Sequence, residues 1–232
     1  MTLDLNDAVQ PYRDFRTDKT QRYIDQMPLL ISGRNLEGEI VDVPRVPVEV
    51  EDVFERKIDS SKPDWMDNWF DTGTGILVPA NGSYNDGRFK IRGKSDLLRG
   101  VNPRTVLIKE GIPHESYETA SGVEFISDKD GVIVNRDMTK DEALNNPVLL
   151  EVLGGNTSFR DAVVDKIFYE GQKKFNDSDV TMIGIYLPSE LKQAHERAFY
   201  VGGLDFRSRL NGGGSLHDGG GRLVGKAPEV PS

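Results

Sequence analysis

Two periods of hydrophobic positions run along the chain, one near two residues and one near four. Residues 1–27 are mostly polar and charged, with a short helix predicted around Thr17–Gln26. Residues 28–58 read as extended. Pro28-Leu29-Leu30-Ile31 precedes a Ser32-Gly33 turn, and Glu39–Val43 and Val46–Val50 alternate as one-face-buried strands do. Pro44 and Pro47 confine this stretch to a sheet edge. Pro63, Trp65 and Trp69 mark a loop with aromatic anchors. Further strands are expected at Ile76–Val78 and Arg104–Ile108, with turn pairs at Asn81-Gly82 and Asp86-Gly87. A hairpin is predicted from Val123–Ile126 and Val132–Val134 around Asp128-Lys129-Asp130-Gly131.

The period then lengthens. Thr139 and Glu142 have capping-box spacing, and Pro147 suits the first turn of a second helix ending near Gly154-Gly155. A longer helix starts near Thr157, with Phe159, Val163 and Ile167 as its buried stripe. Thr181–Leu187 reads as a buried strand, Pro188-Ser189-Glu190 as the opening of a short helix to about Glu196, and Arg197–Val201 as extended. These elements predict an α+β fold whose N-terminal part, residues 1–110, is β-rich and packs on or within the same domain as residues 111–232.

Composition narrows the function. The 232 residues are 37% hydrophobic and 29% charged, enough apolar surface for a sizeable core. A net charge of −9 argues against nucleic acid as a partner, because phosphate backbones call for a Lys/Arg surplus. With no cysteine there are no disulfides, thiolate metal sites or cysteine nucleophiles. Met1–Gln10 lacks the basic and apolar regions of a signal peptide, and no apolar run is long enough to span a membrane. Location is left open between the cytoplasm and display on a cell or virus surface. No cofactor is implied, and a monomer is the expected state.

Three motifs carry less chemistry than they suggest. Asp71-Thr72-Gly73 matches an aspartic-protease signature, but that reaction needs two carboxylates sharing a proton and no second Asp-Thr-Gly is present. A hydrolase using Asp71 is one alternative reading of the chain and a virion or cell-surface structural protein another, while the structural reading of Asp71-Thr72-Gly73 is a β-turn. Gly87–Ser95 resembles a phosphate loop with five residues between its glycines instead of four, and reads as a basic strand and turn. His114, His195 and His217 each precede an acidic residue but match no zinc spacing, and are expected at the surface.

Residues 202–221 differ from everything before them. Leu204, Leu210 and Leu216 recur every six residues, and Arg222-Leu223-Val224 closes the run. A disordered linker has no need of spaced leucines. The window contains no Lys, Glu, Gln, Met or Trp, although these make up about 17% of the chain. Those five types, with stop, are what an Asn codon ending in a pyrimidine cannot reach when only its adenines change. In this respect the segment resembles the variable region of a diversity-generating retroelement's variable protein, in particular the archaeal type. Arg197–Val201, the spaced leucines and Gly221–Gly225 look like the fixed framework of such a region, spanning about residues 197–225.

The resemblance implies a C-type lectin fold, shared with formylglycine-generating enzymes, in which diversified side chains gather on one exposed face. The enzymes of that fold need cysteine, so this chain would only bind. Its partner would be a protein or surface ligand that differs between variants. The implied contact positions are Gly203, Asp205, Phe206, Arg207, Arg209, Gly213, Gly214, Ser215, His217, Asp218 and Gly219. Phe206 would be the apolar hot spot, and Arg207 and Arg209 the charged ones. The run Gly212–Gly214 departs from the pattern by offering little side chain for recognition.

Overall fold

The computed structural model describes residues 12–14, 22–34, 39–40, 44–59, 61, 63–80, 87–108, 111–188, 191–204, 208–213, 216 and 222–226. The fold is mixed α+β. Among these residues the strands are β1 (Tyr12–Asp14), β2 (Val46–Pro47), β3 (Phe70–Val78), β4 (Arg88–Arg92), β5 (Ile112–Pro113), β6 (Val123–Ile126), β7 (Arg136–Asp137), β8 (Gly184–Tyr186), β9 (His195–Val201), β10 (Leu210–Asn211) and β11 (Arg222–Lys226). The helices are α1 (Tyr23–Ser32), α2 (Val50–Ile58), α3 (Pro63–Asp67), α4 (Asp96–Arg99), α5 (Lys140–Asn145), α6 (Pro147–Val152) and α7 (Thr157–Phe175).

One sheet organises the molecule, with its main path in the order β1-β11-β3-β9-β10-β8-β7. β3 is central. It runs antiparallel to β9 and parallel to β11, and β4 pairs beside it before meeting β6. Helices cover both sides. α2, α3, α5, α6 and α7 supply Phe54, Trp65, Ala143, Leu149 and Ile167 to the larger core, where they meet Phe70, Ile76 and Phe199 of the sheet. Trp65 stacks on Phe70 with ring centroids 4.5 Å apart. On the other side, α1 and α4 bring Tyr23, Met27 and Leu98 against Ala198 and Leu223.

Several expected elements take other forms. α1 runs through Pro28–Ile31, which had read as extended, and Thr17–Gln21 lie outside the described residues. Asp25 holds the start of α1 by accepting from the Arg22 backbone N–H (3.4 Å) and side-chain Nε (2.8 Å). α2 replaces the extended stretch after Val50. Val50, Val53, Phe54 and Lys57 are its buried stripe, and Asp52 accepts from the Glu49 N–H at 2.8 Å. The Trp65 loop contains α3. Arg104–Ile108 forms a turn and a single bridge from Ile108 to Gly111, not a strand. Val123–Ile126 pairs with β4 and not with Val132–Val134, so the predicted hairpin is replaced by a non-local pairing. Asp71–Gly75 sits inside β3 at a register shift, not in a β-turn. Lys192 and Gln193 form a bend before β9, in place of the short helix, and Ser189-Glu190 lie outside the described residues.

The three helices after residue 138 follow the sequence closely. The Thr139 hydroxyl accepts from the Glu142 N–H (3.3 Å), and the Glu142 carboxylate in turn accepts from the Thr139 N–H (2.9 Å). Asn146 caps α6 and Asn156 caps α7, while Val163 and Ile167 are buried and Phe159 packs at the core margin. Gly87–Ser95 is the strand β4 followed by a turn, as its basic pattern suggested.

Candidate functional site

The glycine-rich segment enters at the end of β9 and leaves at the start of β11, so the sheet fixes both its ends. Between them, β10 lies antiparallel to β9 and parallel to β8, with Leu210 opposite Val201 and Ile185. Main-chain bonds hold the segment at intervals. The Gly202 N–H donates to the Arg209 carbonyl (2.7 Å) and the Ser208 N–H to the Gly203 carbonyl (3.2 Å), tying Gly202 and Gly203 to Ser208 and Arg209. The Gly212 N–H reaches the Tyr186 carbonyl (2.8 Å), the Ile24 N–H reaches the Leu216 carbonyl (3.3 Å), and the Arg222 N–H reaches the Trp69 carbonyl (3.0 Å). None of these bonds depends on which side chain its residue carries.

The spaced leucines are all buried, and they anchor the segment on both sides of the sheet. Leu204 and Leu210 belong to the larger core with Val224, whereas Leu216 and Leu223 belong to the α1/α4 core. Two glycines are set by close packing. A Cβ on Gly212 would lie 2.6 Å from Ile76 Cγ2, and one on Gly184 would lie 2.5 Å from Asp137 Oδ1. Arg197, buried in β9, donates from Nη1 to the Gly213 carbonyl at 2.8 Å and braces the next turn.

Three of the implied contact positions are described. Gly203 is buried, Gly213 is exposed, and the Arg209 side chain is 42% exposed. Asp205, Phe206, Arg207, Gly214, Ser215, His217, Asp218 and Gly219 lie outside the described residues. Arg209 is held by fixed parts of the fold. Its Nε and Nη2 donate to Asp137 Oδ1 and Oδ2, both at 3.0 Å, and its guanidinium lies 5.2 Å from the centre of the Tyr186 ring. The Tyr186 hydroxyl donates to the same Asp137 Oδ1 at 3.0 Å. The carboxylate raises the Arg209 pKa above its ordinary value.

Beside this segment, Trp69 meets Tyr200 edge-on at 4.9 Å, both half-buried. Tyr200 stands opposite Asn211 in β10 and Asp71 in β3. Asp71 is thus a strand residue flanked by β9 and β11. A cavity of about 500 Å³ opens where Leu204 meets α3 and α7, lined by Met66, Asp67, Lys166, Glu170 and Lys173 among others.

Away from the segment lies a buried polar cluster. Glu196, without exposed surface, accepts from the Ser95 hydroxyl and the Arg92 guanidinium, and burial pushes its carboxyl above the usual range. His195 corrects the expectation of surface histidines. It is fully buried, and desolvation of its charged form pushes it down to about 4. His114 is half-buried, and His217 lies outside the described residues. Among the described residues no three His, Asp or Glu side chains converge as metal ligands, and no helix is long and apolar enough to cross a membrane.

Sequence reasoning found the framework leucines and the Arg197–Val201 stretch that holds Tyr200, but missed Asp137 and Tyr186. These lie on β7 and β8, and only the folded register brings them beside the segment. Trp69 carried a signal as an aromatic in a polar stretch.

No protein-family model and no curated protein matches the sequence. Among solved structures there is similarity to a chain from Nanoarchaeota, described as the accommodation of massive sequence variation by the C-type lectin fold. The two share 14% identity over 77% of this chain and 83% of the other, with a TM-score of 0.49. A likeness of that degree assigns neither a family nor a function.

Proposed function

We propose that this chain is a non-enzymatic binding protein on a C-type lectin scaffold, with a ligand-contacting segment, about residues 202–221, diversified by a retroelement. One observation carries the reading. Leu204, Leu210, Leu216 and Leu223 are buried on the two sides of one sheet, while between them Arg209 is half-exposed and Gly213 exposed. A segment built this way keeps its backbone path while its intervening side chains change, because burial and main-chain bonds set the path. The window's composition, confined to residue types reachable by adenine substitution in Asn codons, supports the same reading. Ser, Gly and Asn are also the types that adaptable binding surfaces use.

The test is sequencing of codons 195–232 and their flanking DNA across the source population. The expected result is substitution confined to positions between the leucines, matched to adenines in a nearby template copy beside a reverse-transcriptase gene. A uniform segment with no template copy would overturn the proposal.

A further inference from the structure

We propose that the cavity between α3 and α7 is a binding site for a small carboxylic acid with an apolar body. The inference does not depend on reading residues 202–221 as diversified. The cavity holds about 500 Å³, a volume of the size that small organic ligands occupy. Its apolar wall is Met66 of α3 and the buried Leu204. Its polar wall is one face of α7, where Lys166, Glu170, Lys173 and Lys174 stand about one and two turns apart.

Charge sets the class of ligand. Lys57, Lys166, Lys173 and Lys174 line the cavity against Asp59, Asp67 and Glu170, an excess of one positive charge in a chain whose net charge is −9. Lys57, buried in α2, gives all three N–H groups to the Trp65, Met66 and Asn68 carbonyls (2.9, 3.1 and 3.1 Å), which only the ammonium form can do. Its charge therefore stays at the cavity wall. Lys166 donates to Glu170 (2.8 Å) and Lys174 to Asp67 (3.0 Å), partly exposed pairs that hold weakly. Lys173 is exposed and makes no ion pair among the described residues, so the excess charge resides on its ammonium. One negative charge balances this set, whereas a dianionic phosphate would overshoot it and be repelled by Asp67 and Glu170. The ligand's carboxylate is assigned to Lys173, and its apolar body to Met66 and Leu204.

The experiment titrates the full chain with 4-phenylbutyrate, followed by amide chemical shifts. Saturable binding with a Kd of about 1 mM is expected, with shifts centred on Met66, Lys173 and Leu204. Acetate lacks the body, 4-phenylbutanol lacks the charge and phenyl phosphate carries two charges, so each should bind at least about tenfold more weakly. Lys173→Gln, in a chain whose spectrum is otherwise unchanged, should weaken 4-phenylbutyrate by about threefold to tenfold. Lys129→Gln, which removes the same charge from an exposed turn, should not. Binding of acetate, 4-phenylbutanol or phenyl phosphate as tight as that of 4-phenylbutyrate overturns the proposal. So does a Lys173→Gln chain that binds as the unsubstituted chain does, or a titration that never saturates. A peptide ending in phenylalanine presents the same carboxylate and ring. Its binding at least about tenfold tighter than the free acid would put the group in a protein chain and overturn the assignment to a small acid.

Discussion

Leu210 and Arg209 are neighbours with opposite duties. Leu210 has no exposed surface and packs in the larger core with Phe199 and Ile185. Leu210→Ala should therefore cost about 2–5 kcal/mol in urea unfolding. Arg209→Ser should cost about 1 kcal/mol, more than a bland surface change, because it strips two charge-assisted bonds from Asp137. A Leu210 effect no larger than the Arg209 effect would mean the leucine does not anchor the segment. His195 governs a pH response. Its folded pKa of about 4 lies below the ordinary 6.5, so between those values the unfolded chain takes up a proton that the folded chain refuses. The stability His195 contributes is full above pH 6.5 and is lost as pH falls toward 4. His195→Gln should flatten that part of the stability profile. Glu196 acts with the opposite sign, since its raised pKa favours the folded state below that pKa and the contribution fades as pH rises through it.

Helices α5 to α7 were legible because their signals are local: a capping box at Thr139/Glu142, asparagine caps at Asn146 and Asn156, and a stripe repeating every four residues. Thr139→Ala should destabilise by about 0.5–2 kcal/mol through loss of the α5 cap. Glu142 is held down to about 2 by Arg136 and the Thr139 N–H. Its share of stability is present above the usual carboxylate pKa near 4.5 and is lost as pH falls toward 2. Glu142→Gln should remove that acid limb in urea titrations repeated across this range, and an unchanged limb would rule out the Glu142 contacts as its source. The earlier elements were less legible for definable reasons. In α1, Pro28 reads as a breaker, yet the helix accommodates it within a span fixed by Asp25 and by the buried Tyr23, Met27 and Leu30. In α2, the alternation of Val46, Val48 and Val50 hides a helical stripe that starts at Val50. The Val123–Ile126 strand was visible, but its partner β4 lies more than thirty residues upstream, and a local turn could not reveal that. For the site, the anchors were written in leucine spacing, whereas the Asp137–Arg209 pairing spans 72 residues of sequence.

At the scale of the molecule, the described elements of the first 110 residues are woven into the frame that presents the segment. β3 lies between β9 and β11, the two strands from which residues 202–221 are suspended. Phe70 faces Val201 and Arg222 in register, and Phe70, Ile76 and Val78 share a core with Leu204 and Leu210. α1 packs on Leu216 and Leu223 from the other side. A fragment of residues 111–232 would leave β9 and β11 without the strand that joins them, and would expose the apolar faces that α1 and α2 cover. It should therefore show no cooperative thermal transition and should bind a hydrophobic dye, while the full chain unfolds in a single step. A fragment with its own sharp transition would mean that residues 111–232 are an independent domain and that β3 is an addition to it. The weaving suits a binding face that must survive many sequences. Each substitution in the segment draws on the stability of the whole fold, and a frame closed through β3 spreads that cost across both cores.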